Sequence, residues 1–399
     1  MAHDRKIKLA IVGITGLPSC YGGFETLAHH LVDHMKDEYE IMVYCSSKFY
    51  PPNRRVKFFN GARLKYINLN ANGYQSIPYD FISLIHALIF SEAIIMLGVS
   101  GAMLIPFIKL LSRKPLIVNI DGLEWKRAKW KKPVRQFLKW SESIAVRFAD
   151  KVITDNVAIY DYVKEEYGKE STVIEYGADH TSHVPVTPAS LKKFPFLDKP
   201  YSFTVCRIEP ENNIHVILEA FAANKSKVVV IVGLWNHGEY GKTLKEKYSR
   251  YENIHLIDPI YEQKELNILR ANCSFYVHGH SAGGTNPSLV EAMYLGLPVI
   301  AYGVSYNKET TERKAKYFEN GMELMEILSG MTEPERLRIA GDMKKIAQRR
   351  YLWKVIAGKY RTQIEEAAPA GYKPIPELSL QFTTGSAKKY YPLNEAETF

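Results

Sequence analysis

The run His278-Gly-His280-Ser-Ala-Gly283-Gly284-Thr285-Asn286-Pro287-Ser-Leu-Val-Glu291-Ala-Met293 sets imidazoles, hydroxyls and a carboxylate around a glycine pair. Cys273-Ser-Phe-Tyr-Val277 before it suits a buried strand, being short, apolar, aromatic and β-branched. Gly283 and Gly284 allow a tight turn, Asn286 can cap a helix and Pro287 suits its first position. A glycine-rich turn feeding a helix N-terminus presents unpaired N–H groups and a positive dipole end, a site for phosphate or sugar oxygens. Glu291, one turn into the helix, can hold ribose hydroxyls; the plainer alternative is a capped junction whose carboxylate complements the dipole.

Three other loops offer comparable chemistry. After an N-terminal strand comes Gly13-Ile-Thr-Gly16-Leu-Pro-Ser-Cys-Tyr21-Gly22-Gly23-Phe24-Glu25, where Gly22 and Gly23 can bring N–H groups against a diphosphate. It is not G-x-G-x-x-G, and no acid clearly ends the second strand, so dinucleotide redox chemistry is disfavoured. After Leu116-Ile-Val-Asn-Ile120 comes Asp121-Gly-Leu-Glu124-Trp125-Lys126-Arg127, suited to holding an acceptor sugar or stabilising charge at a reacting carbon. Arg207-Ile-Glu-Pro-Glu211-Asn212-Asn213 places an arginine at a strand end to clamp a diphosphate, with Glu211 to orient it. Each loop has a structural alternative: a plain turn, a helix cap, or an Arg–Glu tie. No Asp-x-Asp occurs, and His278-x-His280 is weak evidence for a metal, so none is expected.

These loops need strands to carry them. The pattern predicts strands near 7–12, 40–45, 64–67, 93–97, 116–120, 151–154 and 172–175 in a first half. A second half has strands near 201–206, 228–232, 254–257, 273–277 and 298–302, again alternating with helices. That alternation implies two α/β domains with parallel sheets covered on both faces. The expected division is 1–185, a Pro-rich linker 186–200, 201–345, a late helix 346–366 and a tail 367–399. A cleft between the C-terminal ends of two doubly wound sheets would hold the ligand.

At 399 residues two domains are the default. Four cysteines, far apart and without C-x-x-C, fit a reducing cytoplasm, and Met1-Ala-His-Asp-Arg-Lys lacks signal-peptide architecture. Phe81–Leu111 is apolar, but His86, Glu92, Gly98, Gly101, Pro106 and Lys109 interrupt it, so a helix, a strand and a second helix explain it better than a membrane span. The net charge of +9 calls for an acidic partner. Lys126, Arg127, Lys129, Lys131, Lys132, Arg135 and Lys139 crowd one acid-free segment interleaved with Trp125, Trp130, Phe137 and Trp140. This suits an anionic membrane surface or phosphorylated lipid, with nucleic acid as rival and a solvated helix face as the plain alternative.

From about residue 5 to 365 the chain resembles retaining nucleotide-sugar glycosyltransferases of the GT-B fold, family 4, and more narrowly bacterial rhamnosyltransferases that build polysaccharide on a lipid carrier. The resemblance rests on Tyr21–Glu25, Asp121–Arg127, Arg207–Asn213, Gly283–Met293 and Trp353. It implies two Rossmann-like domains, with the helix holding Trp353 crossing back to the first. It assigns Asp121 and Arg207 to catalysis. It gives Gly22, Gly23, Arg207, Glu211, Asn212, His280, Gly283, Gly284, Thr285, Asn286 and Glu291 to the donor. Tyr21, Glu25, Glu124, Trp125, Lys126 and Arg127 fall to the acceptor, and Lys129, Trp130, Lys131, Lys132 and Arg135 to the membrane. It implies no cofactor, a dTDP-L-rhamnose donor, a polyprenyl-diphosphate-linked saccharide acceptor, no nucleic acid, and a place on the inner face of the plasma membrane.

Three positions depart from the family pattern. Gly283 stands where E-x7-E has its first Glu, Asn212 where the diphosphate clamp has a Lys, and Asp121 where a His is usual. They suggest a donor other than a common UDP- or GDP-hexose. The implied reaction is same-face attack by an acceptor hydroxyl on the anomeric carbon, the leaving phosphate held by Arg207 and N–H groups near Gly22, Gly23 and Gly284. The rivals are a nucleotide-sugar 2-epimerase, which needs no acceptor, and a non-catalytic carbohydrate- or lipid-binding module.

Overall fold

The computed structural model describes residues 5–19, 22–126 and 130–368. The first half builds strands β1 (Ile7–Val12), β2 (Tyr39–Ser46), β3 (Phe58–Phe59), β4 (Ala62–Ile67), β5 (Ala93–Leu97), β6 (Leu116–Asn119), β7 (Lys151–Thr154) and β8 (Thr172–Val173). Its helices are α1 (Gly23–Met35), α2 (Ser76–Phe90), α3 (Ile105–Leu111), α4 (Lys132–Phe148) and α5 (Val157–Tyr167). The sheet order is β3-β4-β2-β1-β5-β6-β7-β8. Every described pairing is parallel except β3 with β4. That exception was not legible: Phe58–Phe59 is a two-residue strand turned back through Asn60 and Gly61, both at positive φ.

Helix α6 (Pro188–Lys193) follows, and then the second sheet. It is built of β9 (Ser202–Val205), β10 (Val229–Val232), β11 (Ile254–Ile257), β12 (Phe275–His278), β13 (Val299–Tyr302) and β14 (Lys316–Phe318). Their order is β11-β10-β9-β12-β13-β14, all parallel. Between and after them lie α7 (Ile214–Ala223), α8 (Glu239–Tyr248), α9 (Gln263–Ala271), α10 (Pro287–Tyr294), α11 (Ser305–Thr310), α12 (Gly321–Gly330), α13 (Glu333–Arg350) and α14 (Trp353–Ala367). Both sheets reverse direction at their first strand, β1 lying between β2 and β5 and β9 between β10 and β12. Such switch points open a crevice at the carboxyl ends of the strands, which is where the glycine-rich loops fall.

The linker region holds a short helix: Thr187 and Ser190 form a capping box and Pro188 opens α6. One expectation needs correction. The late helix is two helices. α13 ends at Arg350, Tyr351 turns the chain with its buried hydroxyl donating to Thr310 O at 2.7 Å, and α14 restarts at Trp353. No glycine or proline marks this break.

Helix α14 returns to the first domain. Ile356, Tyr360 and Ile364 share one apolar core with Leu27 and Leu31 of α1. Tyr360 OH accepts from Asn119 Nδ2 at 2.7 Å. Buried Glu175 receives Arg350 at 2.9 Å and Lys359 at 2.7 Å. Burial alone would raise its pKa, yet the two cations hold it below the usual carboxylate range. Helices α2, α3, α4 and α5 cover the other face of the first sheet around a separate core. Among the described residues no helix is long and apolar enough to cross a membrane.

Candidate functional site

The loops after β1, β6 and β7 meet the loop after β12. The meeting is so close that side chains are excluded. A methyl carbon on Gly122 would fall 2.5 Å from Gly283 Cα, and one on Gly284 would fall 1.7 Å from Asp155 Oδ1. One on Gly23, at the start of α1, would sit 3.3 Å from Pro287 at the start of α10. The two glycine-rich turns therefore face each other across the crevice. Gly22 caps α1 with an extended backbone and Asn286 caps α10, its Oδ1 accepting from Ser288 N at 3.0 Å.

Asp121 leaves β6 at φ 63°, its N–H donating to Asn119 Oδ1 at 2.9 Å. A non-glycine residue at such a φ is strained and is held there by its surroundings. Beside it stands Asp155, immediately after β7, with 2% of its surface exposed. Its Oδ1 has no hydrogen-bond partner. Burial pushes its pKa well above the usual carboxylate range, and the Asp121 charge adds to the rise. The Asp155 carboxyl thus sits against the Gly284 turn, in the region where this chain lacks the first Glu of E-x7-E. The rule that flagged Asp121, an acid at a strand end, would also have found Asp155.

Thr285 has its hydroxyl engaged by protein groups. It is buried, its hydroxyl donates to Asp155 O at 2.5 Å, and it accepts from Asn156 Nδ2 at 3.2 Å, so it ties the two domains together. Glu291 is also largely enclosed. It pairs with Arg270 at 2.5 Å and with His180 Nε2 at 3.0 Å. Burial would raise its pKa, but Arg270 and His180 bring it below the usual range. His180 Nδ1 accepts from Trp353 Nε1 at 3.0 Å, and His30 stacks on the Trp353 indole at a centroid distance of 4.2 Å. Gly177 makes room for that indole, since a methyl there would lie 2.4 Å from it.

Arg207 is exposed just beyond the carboxyl end of β9, where a phosphate could reach it. Asn212 is buried and occupied: Nδ2 donates to Arg207 O at 2.6 Å, and Oδ1 lies 2.6 Å from His280 Nδ1. An amide oxygen only accepts, so Nδ1 of His280 carries the proton and Nε2 is directed at Gly283. Glu211 joins the same loops through its main-chain oxygen, which accepts from Ser281 N at 2.8 Å. The departure from Lys at 212 thus exchanges a charge for a positioning amide.

On the acceptor side, Glu25 is buried and accepts from Thr15 N at 2.7 Å, shaping its own loop instead of projecting outward. Glu124 accepts from Trp130 Nε1 at 2.9 Å, and Trp130 is partly buried against the first-domain core. Trp125, Trp130 and Phe137 pack on the first-domain core. Lys126 and Lys139 lie over the Trp125 ring at 5.4 and 4.9 Å. Three aromatics of the basic stretch are therefore packing, while Trp140, Lys131, Lys132 and Arg135 stay exposed. Tyr21, Arg127 and Lys129 lie outside the described residues. Among the described residues no group of three or more His, Cys, Asp or Glu could hold a metal.

The comparisons with known proteins agree with the fold. Residues 6–179 match the family described as Domain of unknown function (DUF1972), and residues 188–322 match Glycosyl transferases group 1. No curated protein sequence matches the chain. Among solved structures, sucrose-phosphate synthase from Thermosynechococcus elongatus superposes with a TM-score of 0.76 at 15% identity, over 91% of this chain and 100% of that one. Anabaena HepE in complex with UDP-glucose gives 0.68 at 15% identity, over 90% and 99%. A glycosyltransferase from Rickettsia africae gives 0.68 at 14% identity, over 92% and 99%. The fold is GT-B, and the group 1 domain on that fold supports a GT-B glycosyltransferase.

Proposed function

We propose that the chain transfers a sugar from a nucleoside-diphosphate donor to an acceptor hydroxyl, without metal and with retention of anomeric configuration. The observation that carries this reading is the crevice itself, where the Gly22–Gly23 and Gly283–Gly284 turns face each other with Arg207 at its C-terminal-domain edge. Charge grows on the leaving diphosphate as the glycosidic bond breaks. Arg207 and N–H groups of the two turns supply fixed donors to that charge, as oxyanion-hole donors do. The departing phosphate takes the acceptor proton on the same face, so no covalent nucleophile is needed. Asp121 faces the positive anomeric centre, with the Asp155 carboxyl beside it.

The proposed donor is dTDP-L-rhamnose and the proposed acceptor a polyprenyl-diphosphate-linked saccharide at the inner face of the plasma membrane. The subgroup resemblance supports both. HepE holds UDP-glucose, so UDP sugars are the first competitors to test. The departures at Asp121, Asn212 and Gly283 favour a different donor.

The test is a thermal-shift panel of nucleoside diphosphates and nucleotide sugars with chelator present. Donor at roughly 100 times its dissociation constant raises stability by about 2.7 kcal/mol. Stabilisation confined to dTDP and dTDP-rhamnose is the expected outcome. Stabilisation by UDP or GDP sugars alone would replace the donor. A response to none would overturn the enzyme reading, and conversion of free donor without acceptor would make the protein an epimerase.

A further inference from the structure

The helical layer formed by α2, α3 and α4 is apolar on its outer side as well as its inner side. Ile85, Ile89 and Phe90 of α2 and Phe107, Leu110 and Leu111 of α3 are exposed, Leu110 by 83% and Leu111 by 76%. Trp140 and Phe148 of α4 continue the surface. Monomeric proteins rarely leave so many large apolar side chains together in water, and such a patch marks an interaction surface. These helices cover one face of the first sheet around a common core. Lys114 Nζ, after α3, donates to Leu88 O of α2 at 2.5 Å, and Lys109 of α3 pairs with Asp150 after α4 at 2.7 Å. The ends of the three helices are thus gathered into one surface.

The charges on this layer are mostly cationic; the acids at its edge, Asp150 after α4 and Glu92 after α2, are paired with Lys109 and Arg5. The acids within α2, α3 and α4 are Asp80 and Glu142, and both are buried. Asp80 lies against Gly101, and Glu142 accepts from Tyr162 and Tyr167. Lys132, Arg135, Arg147 and, after α3, Arg113 are exposed, with Lys131 just before α4. An apolar face edged with cations complements a bilayer carrying anionic headgroups. Two copies of the chain brought together on this face would bring like charges together.

We infer that the outer face of α2, α3 and α4 is a membrane-docking surface, its apolar side chains entering the interface and its cations meeting anionic headgroups. This deepens the reading of a lipid-linked acceptor and rests on it. Helix α4 begins after the Asp121–Lys126 loop, so its first turn, with Lys131 and Lys132, lies on the crevice side of the layer. Phe90, Leu110, Leu111 and Phe148 close their helices at the opposite end, so the docking face runs along α4 from its apolar end to these cations.

The experiment is co-sedimentation of the full chain with vesicles of phosphatidylcholine alone and of phosphatidylcholine mixed equally with phosphatidylglycerol. The wild type should bind the anionic vesicles, less so at high salt. The triple variant Phe107→Ser, Leu110→Ser, Leu111→Ser should bind about tenfold more weakly, and Lys131→Gln with Lys132→Gln should weaken only the anionic preference. Met322→Ser, exposed in the second domain, should change nothing. Equal binding by wild type and triple variant, or no wild-type binding, overturns the inference. So does self-association of the wild type that the triple variant abolishes without any vesicle binding. Each variant is also tested for thermal response to nucleotide sugars. A wild type that responds to nucleotide but ignores vesicles loses only the docking surface; one that binds vesicles but no nucleotide loses the transferase reading instead.

Discussion

Trp353 Nε1 donates to His180 Nδ1 at 3.0 Å, and this one bond decides which nitrogen of His180 meets Glu291. An indole N–H can only donate, so Nδ1 accepts and the proton of neutral His180 is on Nε2, facing the carboxylate. A side chain of the last helix thereby fixes the tautomer of a residue that grips the helix after the donor-side glycine turn. Trp353→Phe keeps an aromatic ring but loses the donor. It should cost about 1–3 kcal/mol in chemical denaturation. Imidazole nitrogen NMR should show a single Nε2–H form of His180 in the wild type and mixed tautomers in the variant. Mixed tautomers in the wild type would refute the relay.

Arg270 has 2% of its side chain exposed and is the cation that faces Glu291. Removing it leaves a buried carboxylate with a neutral imidazole. Arg270→Met should cost about 3–5 kcal/mol at neutral pH. Without the cation, burial raises the Glu291 pKa above its unfolded value. The loss should then grow as pH rises from about 4.3. Arg270→Met combined with Glu291→Leu should recover much of it. A loss independent of pH would mean that packing, not charge, is what Arg270 supplies.

Gly284→Ala should leave both domains folded while preventing their close approach, because its methyl would fall 1.7 Å from Asp155 Oδ1. Turnover should drop at least about a hundredfold, the scale expected when reacting groups are displaced by about 1 Å. Small-angle scattering should show a more open molecule. Asp155→Gly added to Gly284→Ala removes the obstruction and should restore the compact form without restoring full turnover. Compact scattering from the single variant would defeat this account.

Burial pushes the His278 pKa down to about 3. Burial is likewise the main cause at His30, whose pKa is lowered to about 3. An unfolded histidine titrates near 6.5, so below that pH the unfolded state binds more protons. Stability should therefore fall as pH drops from about 6.5 towards 3. Glu291 and Glu175, whose pKa values are lowered, contribute stability above about 4.3 that is lost only at more acid pH. The histidine effect should be visible between about pH 6.5 and 5 as a falling melting temperature, and His278→Gln should flatten it. An unchanged slope in that variant would assign the dependence elsewhere.

The sheets were legible because Ala93–Leu97 or Val229–Val232 is a short β-branched or apolar run, buried on both sides. Two short strands were not: Phe58–Phe59 and Lys316–Phe318 offer too few residues for a pattern. The site was legible only where its parts are contiguous. Gly283, Asn286 and Glu291 share one strand-to-helix junction, and local chemistry announces it. Arg270, His180 and Asp155 reach the same junction from other elements, His180 from 111 residues away. No spacing rule connects them, since only the packing of two sheets brings them together. Trp130 reads the same way in either environment by composition; its bond to Glu124 and its partial burial against the first-domain core are three-dimensional facts.

The return of α14 to α1 has a consequence for synthesis. The strand and helix residues of the first sheet are complete at Val173, but the helix that covers Leu27 and Leu31 ends at Ala367. At ribosomal rates of about 5–20 residues per second, the gap lasts roughly 10–40 s. During that interval the nascent first domain carries a bare apolar groove, a natural holding point for a chaperone. Its own C-terminal segment must later displace whatever occupies that groove.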